Sequence, residues 1–187
     1  TDEFTTIAKN RISEIEESII IEEELIRQKL NYSNAIESYF SGESIDSVIT
    51  LLDLALEGRQ SNYRASSQRL KSAFLNINSL NSLISPDSTG KLDSLIQTKL
   101  DSIYFNLADI FDYDLGLPDS AKYYYKKVLN DFERSNFRFE SMVAINELDS
   151  NGVWKKLISV EFPDSMTVID STRTVSGIIS DSLKDEF

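Results

Sequence analysis

Cysteine and histidine are both missing from the 187 residues, and most of the side-chain chemistry of enzymes goes with them. Thiol nucleophiles, Cys/His zinc sites, the Ser-His-Asp triad and the Glu-x-x-His di-iron motif each need one or the other. Carboxylate, lysine, tyrosine and serine chemistry remains. A cysteine-free chain suits cytosol and periplasm alike, so the redox compartment stays open. Glycine (6) and proline (3) are scarce, too few to turn many short strands, which leaves helices joined by Ser, Asn and Asp. No run of about 18 apolar residues is present, so nothing in the sequence reads as a membrane span. Basic residues are the minority, 19 Lys and Arg against 31 Asp and Glu, for a formal charge of -12. That field repels phosphate backbones and anionic headgroups. Neither nucleic acid nor direct membrane insertion is expected.

What is present suits one domain or a short repeat array. Apolar residues make up 41% and aromatics 10% of the chain, enough to bury a core and to argue against wholesale disorder. The first residue is Thr1, which reads as a mature or trimmed portion of a longer precursor.

Hydrophobic spacing predicts a long helix over 6–40, with Ile12, Ile15, Ile19, Ile26 and Leu30 as its stripe and Glu22 at the stripe's solvated margin. Ile20 and Ile21 fall away from that line, so the helix carries apolar residues on two sides. It either packs between neighbours or offers one side to a partner. Further helices are predicted over 45–57, 63–84, 91–113, 118–132, 137–148 and 153–160, with turns at 41-SGES-44, 58-GRQSN-62, 85-SPDSTG-90 and 114-DLGLPDS-120. Ser44 is the expected N-cap of the second helix. The text after 165 mixes β-branched residues with Ser and Asp, and an irregular tail over 166–187 is expected. The organisation read from this is a long-helix region over 1–90, a repeat region over 91–165, and the tail.

The run 121-AKYYYKKV-128 tests these assignments. On a helix, Ala121, Tyr125, Val128 and Phe132 fall at intervals of four, three and four and form one buried stripe. Tyr123 and Tyr124 flank it, able to bury a ring and keep a hydroxyl near water. The preceding helix offers Tyr104, Leu107, Ala108 and Phe111 in return. Small residues at the crossing allow an antiparallel αα-hairpin.

The segment 104-YFNLADIFDYDLGLPDSAKYYYKKVLNDFERS-135 resembles a tetratricopeptide (TPR) repeat. Tyr104, Leu107, Ala108 and Phe111 match its first helix and Ala121, Tyr125 and Val128 its second, after one extra residue in the turn. Glu133 stands where the family usually has proline. A second copy follows at an offset of 30: 124-YYKKVLNDFERS-135 aligns with 154-WKKLISVEFPDS-165, with Pro163 at the closing position. The segment 45-IDSVITLLDLAL-56 is a weaker echo. The resemblance implies an all-α fold of antiparallel helical hairpins, a short TPR-like α-solenoid. In style the repeats are similar to bacterial cell-envelope TPR proteins, including lipoproteins of outer-membrane assembly. That implies a periplasmic or outer-membrane-associated protein, although no leader and no lipidated cysteine is seen.

The resemblance also implies an inner groove lined by Ser102, Phe105, Asp109, Asp112 and Tyr113. The family's clamp for C-terminal carboxylates uses Lys and Asn at two of these places, where Phe105 and Asp109 stand, and Asp109 would repel such a ligand. A basic or apolar protein segment fits better. The competing reading has these residues packing against the next helix.

No catalytic, cofactor or metal site is read elsewhere. The run 22-EEE-24 is a solvated face, 109-DIFDYD-114 lacks the framework of an EF-hand, and 85-SPDSTGKL-92 lacks the glycine spacing of a P-loop. Trp154 reads as core. The function expected is a non-catalytic scaffold or adaptor that binds another protein. The alternatives are a self-assembling subunit and a helical ligand-binding or enzymatic domain using carboxylates and tyrosines.

Overall fold

The computed structural model describes residues 2–149 and 152–168, and the tail expected beyond 168 lies outside the described residues. Helices dominate, and no strand occurs among the described residues. The protein is all-α. It divides into two compact units, residues 1–74 and residues 75–187, with the division inside the third helix and not at the turn over 85–90.

In the first unit, α1 (Asp2–Phe40) runs 39 residues, or about 58 Å at the α-helical rise. It stops at a Schellman turn: Gly42 adopts φ 79°, its N–H donates to Tyr39 O (3.1 Å), and Glu43 N–H donates to Ser38 O (3.0 Å). Glycine is favoured there because a Cβ crowds the backbone at positive φ. Ser44 then caps α2 (Ile45–Ala55), its Oγ accepting from Ser47 N–H at 3.2 Å. Val48, Leu52 and Ala55 of α2 are buried, as are Tyr32, Ala35 and Ile36 of α1.

Gln28 closes this hairpin. It is buried, and its amide donates to Glu57 O (2.7 Å) and Arg59 O (2.9 Å) while its carbonyl accepts from the Ser61 hydroxyl. The loop after α2 is thereby fastened to α1. Ser61 Oγ also accepts from Arg64 N–H (3.1 Å) at the start of α3 (Asn62–Leu83). Leu70, Ala73 and Phe74 of α3 are buried. The Phe74 ring lies 4.9 Å from Tyr39 and the Tyr63 ring 6.1 Å from Tyr32.

The stripe predicted on α1 is left uncovered. Ile12, Ile15, Ile19, Ile26 and Leu30 are all exposed. The reason is length: α2 has 11 residues and spans only about 16 Å, so it covers the C-terminal third of α1.

In the second unit, the helix predicted over 91–113 is broken. A short α4 (Ser94–Gln97), capped by Asp93, stops at Thr98, and α5 (Leu100–Asp109) starts afresh. Hydroxyls compete with the helix here: Thr98 Oγ1 donates to Leu95 O and Ser102 Oγ to Lys99 O, both at 2.8 Å. After Asp109 the chain widens into a π-helical turn, Ile110–Asp114, closed by Leu115 N–H on Ile110 O at 3.0 Å. Gly116 (φ 67°) ends it, and α6 (Pro118–Asp131) follows with proline at its first position, where the missing N–H costs nothing. Then come α7 (Arg138–Leu148), α8 (Val153–Glu161) and a 3-10 turn at Pro163–Val168.

Ala121, Tyr125 and Val128 are fully buried, as periodicity predicts, whereas Phe132, the fourth residue of the expected stripe, lies just past the helix end and is only half-buried. Tyr124 stacks on Phe111 (ring centroids 5.5 Å, 7° between planes), and Lys127 Nζ sits 5.0 Å over the Tyr104 ring. The tyrosine run thus serves packing between α5 and α6.

The offset-30 echo is repeated in three dimensions. Val128 and Ile158 are both fully buried. Phe132 and Phe162 end their helices with closely similar backbone angles, φ -135° and ψ 76° against φ -133° and ψ 63°. The next turn closes identically, Ser135 N–H on Phe132 O and Ser165 N–H on Phe162 O, both at 3.1 Å.

Candidate functional site

The five residues expected to line a groove lie on α5 and its π-helical extension, and they divide by burial. Ser102 is half-buried. Phe105 stacks on Phe137 (4.8 Å, 24°) and meets the Tyr125 ring edge-on at 5.7 Å, so its ring packs towards the start of α7. Asp109 is half-buried and accepts a 2.6 Å hydrogen bond from the Tyr125 hydroxyl. Asp112 is fully buried and accepts from the same hydroxyl at 3.3 Å, facing Tyr125 and not an open groove. Tyr113 is 47% exposed.

The π-helical turn produces this division. On a regular α-helix Asp109 and Asp112 are three apart and share a face with Phe105. The wider turn carries Asp112 into the interior while Tyr113 stays outside. What the structure brings together is therefore a carboxylate and tyrosine cluster of Asp109, Asp112, Tyr125 and, from α7, Glu147. Burial and the two carboxylates push the Tyr125 phenol far up, so it stays a donor at every physiological pH. Burial, followed by the charge on Asp112, raises Glu147 above the usual carboxylate range.

Sequence reasoning missed Tyr125 and Glu147 as members of this cluster. Tyr125 read as core, and its hydroxyl becomes informative only once Asp109 and Asp112 stand opposite it across the hairpin. Arg138 was also missed. It donates twice to Glu161 (2.8 and 3.2 Å) and once to Leu129 O (2.7 Å), joining the ends of α6 and α8 through the start of α7.

No group of three or more carboxylates among the described residues is placed to hold a metal ion. An open cleft of about 560 Å³ lies between the start of α5 and the end of α6, lined by Thr98, Asp101, Asn130, Phe132 and Arg134 among others. The tyrosine cluster does not open into it. Among the described residues no helix is long and apolar enough to cross a membrane.

No family model, curated protein or solved structure matches the chain.

The Glu147 shift gives an expected pH effect. A carboxyl raised in the folded state favours the protonated form, so its contribution to stability is present at acid pH and lost as pH rises through its folded pKa. Glu147→Gln should then stabilise the protein at pH 7, by no more than about 1 kcal/mol because the side chain keeps some water contact. The gain should shrink on acidification below the ordinary glutamate range. Denaturant melts of both proteins across that range check it.

Proposed function

We propose that the chain is a non-catalytic, TPR-type scaffold or adaptor that binds another protein through the outward side of α5. The observation that carries the repeat reading is the matched pair of helix ends at Val128–Ser135 and Ile158–Ser165, the same turn built twice at an offset of 30 residues. Successive helices α5, α6, α7 and α8 each pack on the next, which is how stacked hairpins share a core. By family analogy we place the protein in a bacterial cell-envelope assembly, in the periplasm or at the outer membrane.

Tyr113 and Ser102 are the members of the expected groove best placed to meet a partner, with Asp109 beside them and fixed by Tyr125. An aromatic with a polar tip next to a carboxylate suits a basic or apolar segment. The tyrosine and carboxylate cluster is read as structural, because the Tyr125 hydroxyl already donates to both carboxylates inside the helix packing.

The test is affinity capture from an envelope extract with the wild-type chain and with Tyr113→Ala, whose folding is checked by circular dichroism. The expected result is a protein recovered by the wild type and reduced about tenfold or more by the variant, the loss typical of a strong aromatic contact. Equal recovery by both would remove the α5 side from the account.

A further inference from the structure

The long apolar stripe of α1 is the largest feature that the fold leaves uncovered. Phe4, Ile12, Ile15, Ile19, Ile26 and Leu30 are 49% to 80% exposed. At about 100° per residue they cluster on a line roughly 155° around the helix from the face of Gln28, Tyr32, Ala35 and Tyr39 that the rest of the unit covers. From Ile12 the line runs Ile15, Ile19, Glu22 and Ile26, the alternating three and four spacing of a coiled-coil seam. Over residues 2–27 there are eight acidic and three basic side chains, so an anionic lipid surface is a poor cover for it.

Charge along the seam says what fits. Lys9 and Arg11 border its first half, and Glu16, Glu22 and Glu23 border or interrupt its second. A helix basic at one end and acidic further on complements a copy of itself running the other way. We propose that α1 pairs with α1 of a second copy in antiparallel orientation, with the two-fold axis beside Glu16.

In that register Ile15 and Ile19 of one copy interleave with those of the other. Lys9 and Arg11 lie beside Glu22 and Glu23 of the second copy. Arg11, which in the single chain holds Glu14 at 2.8 Å with both side chains well exposed, is free to reach across. Glu16 and its counterpart meet at the solvated edge near the axis, a like-charge contact that water screens. A parallel pair would instead set Glu22 against Glu22 within the apolar seam. The six apolar residues offer about 100 Å² each, or about 1,200 Å² for the pair, which meets the lower limit of specific, stable interfaces.

The test is sedimentation equilibrium of the chain over a wide concentration range, beside an Ile15→Glu, Ile19→Glu double variant. Both positions are half-exposed in the single chain, so at concentrations low enough for the wild type to be monomeric, melting temperature and far-ultraviolet circular dichroism should not differ between the two. The expected result is a wild-type dimer whose dissociation constant rises about a hundredfold or more in the variant. Reversing Lys9 and Arg11 to Glu should also weaken the dimer, and adding Glu22→Lys and Glu23→Lys to the same chain should restore it. The absence of native cysteine allows direct determination of orientation. Glu16→Cys should give a disulfide-linked dimer, and Ala8→Cys should not, because about 25 Å of helix separates the two Ala8 positions in the antiparallel pair. A chain that stays monomeric overturns the proposal, whether or not its stripe then binds a basic helical peptide. A dimer cross-linked through Ala8→Cys, or one indifferent to the Ile15 and Ile19 changes, overturns it equally.

Discussion

Tyr125→Phe should destabilise the second unit by about 2 kcal/mol, the range for hydrogen bonds to charged groups. The ring is fully buried, and phenylalanine fills the same space, so the loss isolates the hydroxyl. That hydroxyl donates to Asp109 Oδ1 at 2.6 Å and to Asp112 Oδ2 at 3.3 Å. Without it, two carboxylates lose a shared donor, and one of them has no exposed surface on which water could replace it. Taking a donor from a buried acceptor costs more than the bond itself contributes. Denaturant unfolding followed through a probe in α5–α8 checks the prediction. If the variant unfolds with the wild type, the two carboxylates do not depend on this tyrosine.

A comparable loss, about 2 to 3 kcal/mol, is expected for Gln28→Ala in the first unit. Gln28 is 1% exposed and satisfies the Glu57 and Arg59 carbonyls and the Ser61 hydroxyl at once. Alanine leaves all three beside a void. Because Ser61 also caps α3 through Arg64 N–H, the change should loosen the link from α2 to α3 before it opens the α1 and α2 contact. Amide hydrogen exchange separates the two: protection over residues 57–65 should fall further than over 45–55. Equal loss in both segments would mean that the loop and the hairpin open as one unit.

The difference between these two residues shows how far the sequence could be read. Tyr125 lies on a stripe of period 3.6, and its burial with Ala121 and Val128 follows from spacing alone. Gln28 breaks every such rule, since its partners are two backbone carbonyls and a serine hydroxyl 29 to 33 residues away, and no local pattern marks a buried amide. The α1 stripe shows the complementary limit. Periodicity shows which residues share a face, and whether that face is covered depends on the length of the helix packed against it. The break at Thr98 and the π-helical turn after Asp109 were also invisible, because each is settled by one or two hydrogen bonds against a good helical pattern. That turn is why a groove drawn on regular α-helical spacing places Asp112 on the surface. The repeat at an offset of 30 was legible because it is written in the turn as well as in the helix: an acidic residue, a phenylalanine, two spacers and a serine.

The measurement that tests the proposed function most directly is an amide exchange map of the chain with and without the protein it captures. The account predicts added protection concentrated between Ser102 and Tyr113, with the α6 and α8 cores unchanged. Protection confined to other segments, or a chain that captures no protein above the level of an unrelated acidic control, would contradict it.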